Sequence, residues 1–257
     1  QDSIHPISIS IGVAEISSQH TQAEQVLKQA DIACCLAKEK GRNRIQLFDS
    51  NEQALQQHQA EMQWLDRLRH AIAEDRFMLY QQPIQPLKAG DDGLYYEVLL
   101  RLQAADNTII GPDSFISSAE RFGLMPQIDL WVLRSYFRWL QQNPQHLQQL
   151  TLGCINLSGS ALADKTFLQQ VLQLFSEYNI PFQHICFDIA ESVAIVNLQN
   201  TLAFIQCLRQ KGCKFALDDF GSGFSSYSYL KHFPADFVKI DGHFVRDLLD
   251  DHYDKAI

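Results

Sequence analysis

From Phe77 onward, strand-like and helix-like segments alternate along the chain, and this alternation limits the possible folds more than any other feature. Repeated strand–helix units form a mostly parallel sheet, either open or closed into a barrel. The predicted strands are Phe77–Ile84, Leu94–Leu102, Thr151–Leu157, His184–Ile189, Lys214–Leu217 and Phe237–Ile240. The predicted helices are Asp113–Phe122, Pro126–Gln142, Ser158–Tyr178, Leu198–Gln210 and Ser225–His232. We therefore expect an α/β domain in which a barrel of eight strands would lack its last two.

The first 75 residues follow a different pattern. Residues 6–15 and Asn43–Phe48 alternate as strands do, and residues 22–40 have the spacing of an amphipathic helix. Residues 50–75 are rich in Gln, Glu, Ala and Leu and predict one long connecting helix. We expect an α+β fragment over 1–49, the tail of a larger domain, then this connecting helix, then the α/β domain over 76–257.

Composition excludes several classes of protein. With 46% hydrophobic and 20% charged residues the chain is typical of globular proteins, and no apolar run approaches the ~20 residues that span a bilayer. The formal net charge of −9 argues against non-specific binding to nucleic-acid polymers. None of the six cysteines forms a C-x-x-C pair, so we expect reduced thiols in a cytoplasmic protein.

Polar residues stand out in strands that should be apolar, because parallel strands are normally buried on both faces. The segment KFALDDFGSG, residues 214–223, places Asp218 and Asp219 next to two glycines. Neighbouring residues on a regular strand point to opposite faces, so both aspartates serve one site only where the strand ends and the backbone turns. The alternative is that the aspartates cap the following helix.

Other strands carry further polar candidates. Glu97 and Arg101 lie four residues apart on one strand face, about 13 Å from each other, which suits the metal-bound and anion-bound ends of one ligand. Lys239 and Asp241 share a face of the last strand. The remaining positions are Gln82 before Pro83, Asn156, and Asp188 with Glu191 at the end of a strand. Each could instead be structural, as an ion pair, a helix cap or a backbone bridge.

Taken together, six of these residues suggest one site: Glu97, Asn156, Glu191, Asp218, Asp219 and Lys239. Oxygen ligands with few histidines or cysteines suit hard ions such as Mg²⁺ or Mn²⁺, and adjacent aspartates suit a two-metal site. A lysine among carboxylates stays charged and could hold an attacking water. Metal-assisted hydrolysis of a phosphodiester is therefore the leading reaction class.

Several motifs also occur in the order of a known family. They are QPI at Gln82–Ile84, EVLLR at Glu97–Arg101, INLS around Asn156, DIAES around Glu191, DDFGSGFSS at Asp218–Ser226 and VKID at Val238–Asp241. With them the chain resembles the EAL family of cyclic di-GMP phosphodiesterases. Its first fifty residues, with ISISIGVA and ADIACCLAKEKGRNRI, resemble the C-terminal end of a GGDEF (diguanylate cyclase) domain. The name-giving loop of that domain would lie upstream, so no cyclase chemistry is expected here.

The resemblance implies a modified TIM-like (β/α)8 barrel whose first strand is antiparallel to the others. It implies one metal ion, Mg²⁺ or Mn²⁺, on Glu97, Asn156, Glu191 and Asp218, and a second ion near Asp219. Lys239 would position the attacking water and, with Glu97, would be catalytic. Gln82, Arg101 and Asp241 would contact the dinucleotide. Asp188 and Ala190 depart from the Glu and Thr more common in the family.

The activity implied is hydrolysis of cyclic di-GMP to linear pGpG in bacterial signalling. The alternative is a catalytically silent EAL domain that binds cyclic di-GMP and relays the signal through the 50–75 helix. A barrel of unrelated chemistry is a third alternative. Family members commonly pair through their EAL domains, with the loop Phe220–Ser226 linking site and dimer. We expect a homodimer, an upstream sensory domain, and a membrane tether only through an upstream region.

Overall fold

The computed structural model describes residues 9–16, 23–39, 43–49, 63–87, 90, 92–196, 198–221 and 233–246. By its internal contacts the chain divides into two compact units, residues 1–63 and residues 64–257. The predicted helix Ser225–His232 and residues 50–62 of the predicted connecting helix lie outside the described residues. No described helix combines the length and the apolar character needed to cross a membrane.

The described residues of the first unit form two short parallel strands and one helix. Strand β1 (Ile11–Val13) pairs with β2 (Ile45–Leu47), and helix α1 (Ala23–Glu39) packs against both. Gly12 permits this packing, because a Cβ at that position would overlap the backbone of α1. The strand–helix–strand order predicted for this part of the chain is confirmed, with shorter strands than the sequence pattern indicated.

In the part of the second unit that the structure describes, the strands form one mixed sheet and follow each other almost in chain order. Its strands are β3 (Phe77–Pro83), β4 (Leu94–Gln103), β5 (Ile109–Ile110), β6 (Leu150–Leu157), β7 (Ile185–Ala190), β8 (Lys214–Phe220) and β9 (Phe237–Ile240). The order across the sheet is β3-β4-β6-β7-β8-β9, with the short β5 paired to β4. β3 is antiparallel to β4, and every later pair along this path is parallel. The predicted α/β class and antiparallel first strand are confirmed.

Helices connect the parallel strands and cover one face of the sheet. The helices are α2 over residues 63–73, α3 (Ile116–Arg121), α4 (Met125–Gln142), α5 (Pro144–Gln149), α6 (Gly159–Ala163), α7 (Phe167–Tyr178), α8 (Glu191–Val196), α9 (Leu198–Lys211) and α10 (Gly242–Arg246). The alternation of side chains explains the two layers. Ile155, Phe187 and Leu217 belong to the large core under the helices, whereas Cys154, Cys186 and Ala216 form a smaller cluster on the other face.

Two segments predicted as single helices are each divided into two elements in the structure. The predicted helix Ser158–Tyr178 is broken into α6 and α7, because Asp164 accepts hydrogen bonds from the backbone and hydroxyl of Thr166 and so forms a turn. The predicted helix Asp113–Phe122 consists of a 3₁₀ turn, Pro112–Ser114, followed by α3. The short helices α5 and α8 were not predicted, since they span only one or two turns.

Candidate active site at the carboxyl ends of the strands

The polar side chains predicted from the sequence meet where the parallel strands end. Lys239 of β9 lies among three carboxylates that come from three other strands. Its Nζ is 2.7 Å from Glu97 Oε2 on β4, 2.9 Å from Asp188 Oδ2 on β7 and 3.1 Å from Asp218 Oδ2 on β8. We call these four residues the lysine–carboxylate cluster. Carboxyl ends of adjacent parallel strands share one edge, which is why residues 142 positions apart are in contact.

The protonation states in this cluster depend on the balance between burial and charge. Burial raises the pKa of Asp188 to about 6, and the Lys239 ammonium limits that rise. Desolvation disfavours the charged lysine, but the Asp188 and Glu97 carboxylates outweigh it and raise the pKa of Lys239 above its usual range. At neutral pH Asp188 is therefore ionised and Lys239 is an ammonium.

Asn156 extends the cluster along β6. Its side-chain amide donates to Glu97 Oε1 at 2.7 Å, while the other oxygen of Glu97 accepts from Lys239. Both oxygens of Glu97 are therefore engaged by neighbouring strands. Asn156 is exposed at the rim, so its amide oxygen is accessible to a ligand that approaches from solvent.

Asp188 is a site residue that the ligands predicted from the sequence do not include. Its side chain is fully buried and contacts both Lys239 and the thiol of Cys186, which donates to Asp188 Oδ1 at 3.6 Å. The signal in the sequence was its position, because it shares a strand face with Cys186, opposite the core residues Phe187 and Ile189. A charged side chain at such a position needs a partner of opposite charge.

Asp218 and Asp219 are both part of β8, which corrects the expectation that the strand ends before them. The pairing of β8 with β9 becomes irregular between Leu217 and Phe220, and Asp219 has a left-handed backbone (φ 54°). This irregularity interrupts the strict alternation of side chains. Burial raises the pKa of Asp219, with further contributions from Asp218 and Asp241, which indicates that the three carboxylates lie near each other.

Glu191 lies beside the cluster at the start of α8. It is buried, and its Oε2 accepts a hydrogen bond from the backbone N–H of Gly221 at 2.9 Å. Gly221 adopts φ 94°, and a Cβ there would lie 2.6 Å from a ring carbon of Phe244. The turn after β8 therefore requires glycine, and the contact with Glu191 ties the end of β7 to the end of β8.

The residues predicted to contact a substrate lie on β3, on β4 and directly after β9. Gln82 is exposed and is the register partner of Glu97 on the antiparallel strand. The Arg101 guanidinium donates to the Leu100 carbonyl and lies 5.2 Å above the Tyr80 ring. Asp241 accepts from the backbone of His243 and thereby caps α10, which is the structural alternative for this residue.

A buried aspartate on α4 holds the strand end that carries Asn156. Asp129 Oδ2 accepts from the backbone N–H of Ser158 at 3.0 Å and from its hydroxyl at 2.6 Å, and Ser158 in turn caps α6. Burial raises the pKa of Asp129 to about 7, opposed by the Ser158 hydrogen bonds and assisted by the charge of Glu120. This residue was not singled out, since its partner is distant in sequence.

The donor set fits a hard divalent cation. Oxygen atoms of Glu97, Asp188 and Asp218 lie within 4.8 Å of one another, so one ion could contact all three. Such a site can stabilise negative charge on a bound phosphodiester. A cavity of about 640 Å³ also lies between β3 and α4, lined by Tyr96, Tyr136 and His146 among others. Its lining includes none of the cluster residues.

Comparison with known families and proteins places these residues in context. A family model described as "EAL domain" matches residues 65–257, and one described as "Diguanylate cyclase, GGDEF domain" matches residues 1–44. The chain is 42% identical over 253 residues to the cyclic di-GMP phosphodiesterase PdeB of Shewanella oneidensis, covering 98% of this chain and 29% of that protein. It is 35% identical over 193 residues to the cyclic di-GMP phosphodiesterase PdeF of Escherichia coli, covering 75% and 25%. The chain thus spans less than a third of the length of either relative.

Solved structures resemble the second unit. The structure titled PaMucR phosphodiesterase, c-di-GMP complex, aligns with a TM-score of 0.68 and 30% identity, over 76% of this chain and 78% of that one. The FimX EAL domain from Pseudomonas aeruginosa bound to c-di-GMP aligns with a TM-score of 0.68 and 29% identity, over 75% and 76%.

Proposed function

The chain belongs to the EAL domain family, and on that premise we propose that it hydrolyses cyclic di-GMP to linear pGpG with the help of divalent metal ions. One observation carries the proposal. Three carboxylates and a lysine from four separate strands converge at the carboxyl edge of the sheet, with oxygen atoms of the carboxylates within 4.8 Å of one another. Buried charges that cluster in this way at strand ends are typical of catalytic sites.

The metal ligands that we propose are Glu97, Asn156, Glu191 and Asp218 for one ion, with Asp219 contributing to a second. Mg²⁺ or Mn²⁺ bound there would polarise the phosphodiester and stabilise the negative charge that develops on it. The contacts of Asp188 with Lys239 add a further carboxylate next to these ligands. Asp188 would hold the lysine in position and, with Glu97 and Asp218, would also offer an oxygen to an ion bound there.

Lys239 would position the attacking water, and its surroundings support that role. Its three donors reach three carboxylates, so a donor released from one of them would remain close to the others. Its raised pKa keeps the group cationic throughout the neutral range. In the cluster without an ion, Lys239 is therefore a hydrogen-bond donor.

The dinucleotide would lie across the rim of the sheet. We propose that Gln82, Arg101 and Asp241 contact it, with Arg101 at a phosphate. Arg101 shares a strand face with Glu97 four residues away, and its guanidinium is oriented by the Tyr80 ring. A planar cation suits a phosphate oxygen pair.

We also propose the domain boundaries 1–49, 50–75 and 76–257, and pairing of two copies through the EAL domain. The described part of the connecting segment is α2, whose Leu68 and Ala71 pack into a core with Phe77.

Most of the loop Phe220–Ser226, for which the family resemblance implies a role in dimerisation, lies outside the described residues. We propose that the full-length protein is cytoplasmic unless an upstream region tethers it.

The test is turnover of cyclic di-GMP by the full-length protein. The protein is incubated with cyclic di-GMP and Mg²⁺ or Mn²⁺, and pGpG is detected by chromatography. We expect product from the wild-type protein and from Glu177→Ala, which removes an exposed carboxylate on α7, and none from Glu97→Ala. Tight binding of cyclic di-GMP without product would instead support the silent receptor, and neither binding nor product would refute both.

A further inference from the structure

Two cysteines lie next to the lysine–carboxylate cluster, on the face of the sheet that is opposite to the helices. Cys154 precedes Asn156 by two residues on β6, and Cys186 precedes Asp188 by two residues on β7, so each thiol shares a strand face with a site residue. The two cysteines are register partners on neighbouring parallel strands. Both are buried, in a small cluster that also contains Leu152 and Ala216.

The geometry of these thiols with Asp188 suits a tetrahedral metal ion. The sulfur atoms of Cys154 and Cys186 and a carboxylate oxygen of Asp188 all lie within 4.8 Å of one another. Cys186 Sγ is 3.6 Å from Asp188 Oδ1. In a tetrahedral zinc site, with Zn–S near 2.3 Å and Zn–O near 2.1 Å, sulfur and oxygen are about 3.6 Å apart and two sulfurs about 3.8 Å apart. The separation of Cys186 and Asp188 matches that of such a site, and the sulfur of Cys154 lies within 4.8 Å of both atoms.

A disulfide is the less favourable use of this pair. Neighbouring strands are about 4.8 Å apart, and the Cβ atoms of directly paired residues are separated by a similar distance, whereas a disulfide prefers about 3.8 Å between its Cβ atoms. Bridging the two cysteines would require the strands that carry Asn156 and Asp188 to move towards each other. A metal ion bridges the same gap without that movement.

We propose that Cys154, Cys186 and Asp188 form a second metal site, selective for thiophilic divalent ions such as Zn²⁺, whose occupancy inhibits the hydrolytic site. Thiolate ligands favour Zn²⁺, whereas the all-oxygen set of Glu97, Asp188 and Asp218 favours Mg²⁺ or Mn²⁺. The two sets share Asp188, whose Oδ1 faces Cys186 and whose Oδ2 faces Lys239. The inhibitory part of this inference rests on the proposed function.

Inhibition follows from the shared ligand. Zinc binding would release the two thiol protons, so the thiolates of Cys154 and Cys186 would neutralise the ion and the competition would fall on Asp188. Zinc would also take up the charge of Asp188, which Lys239 otherwise shares. Binding at one site should therefore weaken cation binding at the other.

The first test is spectroscopic and does not depend on turnover. The metal-free wild-type protein is titrated with Co²⁺, whose bonds to thiolates give an intense near-ultraviolet charge-transfer band that oxygen ligands do not give. We expect the band to saturate at one equivalent and to disappear on addition of Zn²⁺. It should be absent from the double variant Cys154→Ala/Cys186→Ala and retained in Cys213→Ala, which removes a buried thiol from the other core.

Two spectroscopic outcomes would overturn the site. One is the lack of a thiolate band in the wild-type protein, and the other is the same band in the double variant. If the double variant does not fold, as judged by circular dichroism, Cys186→Ser replaces it. That variant keeps a small polar side chain, and we expect it to weaken the band. An unchanged band in a folded Cys186→Ser protein would also contradict the proposal.

The second test measures the coupling. The Mg²⁺ concentration for half-maximal hydrolysis is determined with and without one equivalent of Zn²⁺. We expect zinc to raise it about tenfold in the wild-type protein and in Cys213→Ala, a coupling of ordinary size, and by less than about twofold in the double variant. Equal zinc sensitivity of wild type and double variant would overturn the coupling. If the protein does not hydrolyse cyclic di-GMP at all, the cobalt spectra still decide whether the site exists.

Discussion

Replacing Lys239 with methionine tests whether this ammonium holds the candidate site together. Methionine has nearly the same length but no charge, so Glu97, Asp188 and Asp218 would face one another without a cation. Removing one partner of a buried ion pair costs roughly 3–5 kcal/mol. The lower end applies here, because Lys239 is 28% exposed and because Asp188, with a pKa already about 6, can take up a proton. We expect a loss of about 3 kcal/mol in the free energy of unfolding of the metal-free protein at pH 8.

A divalent cation should reverse much of this loss. The three carboxylates of the variant would bind an ion without competition from the ammonium, and an ion that binds only the folded state stabilises it. For a domain of this size, about 3 kcal/mol corresponds to a decrease in Tm of roughly 6–12 °C. Mg²⁺ should restore several degrees of that decrease in the variant and raise the Tm of the wild-type protein by less.

Thermal unfolding followed by circular dichroism, in EDTA and in millimolar Mg²⁺, measures both effects. Lys214→Met is the matched control, since its ammonium pairs with Asp236 at 3.0 Å but is 47% exposed. That variant should lose less than about 1 kcal/mol, with no dependence on Mg²⁺. The reasoning is refuted if Lys239→Met is as stable as the wild-type protein in EDTA, or if Mg²⁺ shifts both proteins equally.

Three further predictions concern the surroundings of the site. Gly221→Ala should lower the free energy of unfolding in urea by about 2 kcal/mol, because its φ is 94° and the new Cβ would meet Phe244. The control Gly111→Ala, at φ −74° with open space around the new Cβ, should change it by less than about 0.5 kcal/mol. Equal effects of the two substitutions would contradict the argument. Asp129→Asn should gain stability relative to the wild-type protein as the pH rises from about 4 to above 7, by on the order of 4 kcal/mol. The reason is that the Asp129 carboxyl, with a folded pKa of about 7, stabilises the wild-type fold when protonated and loses that contribution over this window. A stability difference that does not change with pH would contradict the assigned pKa. Arg101→Lys should raise KM for cyclic di-GMP about five- to tenfold and leave kcat within about twofold, because the charge remains while the stacking on the Tyr80 ring is lost. An unchanged KM would show that Arg101 does not contact the substrate.

Most of the sheet could be predicted because its signals are local. Each parallel strand of the second unit is a short run of apolar residues bounded by breaks, and strand–helix alternation determines that their carboxyl ends share an edge. That topological rule is sufficient to bring Lys239 to Glu97 and Asp218 without any knowledge of side-chain contacts. The motif order and the α/β class were therefore accessible from the printed sequence.

The features that were missed depend on contacts between distant elements. Asp129 lies on the buried face of α4, four residues after Met125 and four before Leu133, which marks it as unusual but does not reveal Ser158 as its partner. The irregular pairing of β8 depends on how β9 aligns beside it, and no local residue pattern specifies that register.

Asp188 shows how charge balance can complete a site that motif matching leaves incomplete. Its side chain has no exposure to solvent, so its negative charge is tolerated only because β9 brings Lys239 to within 2.9 Å. Counted as formal charges, the three acidic side chains and the lysine of the cluster then give a net charge of −2. One divalent cation would neutralise that charge, whereas a cluster of Glu97, Asp218 and Lys239 alone would carry a net charge of only −1. The buried carboxylate of Asp188, which keeps the charge of the glutamate more common in the family, is therefore part of the charge that the site presents to a metal ion.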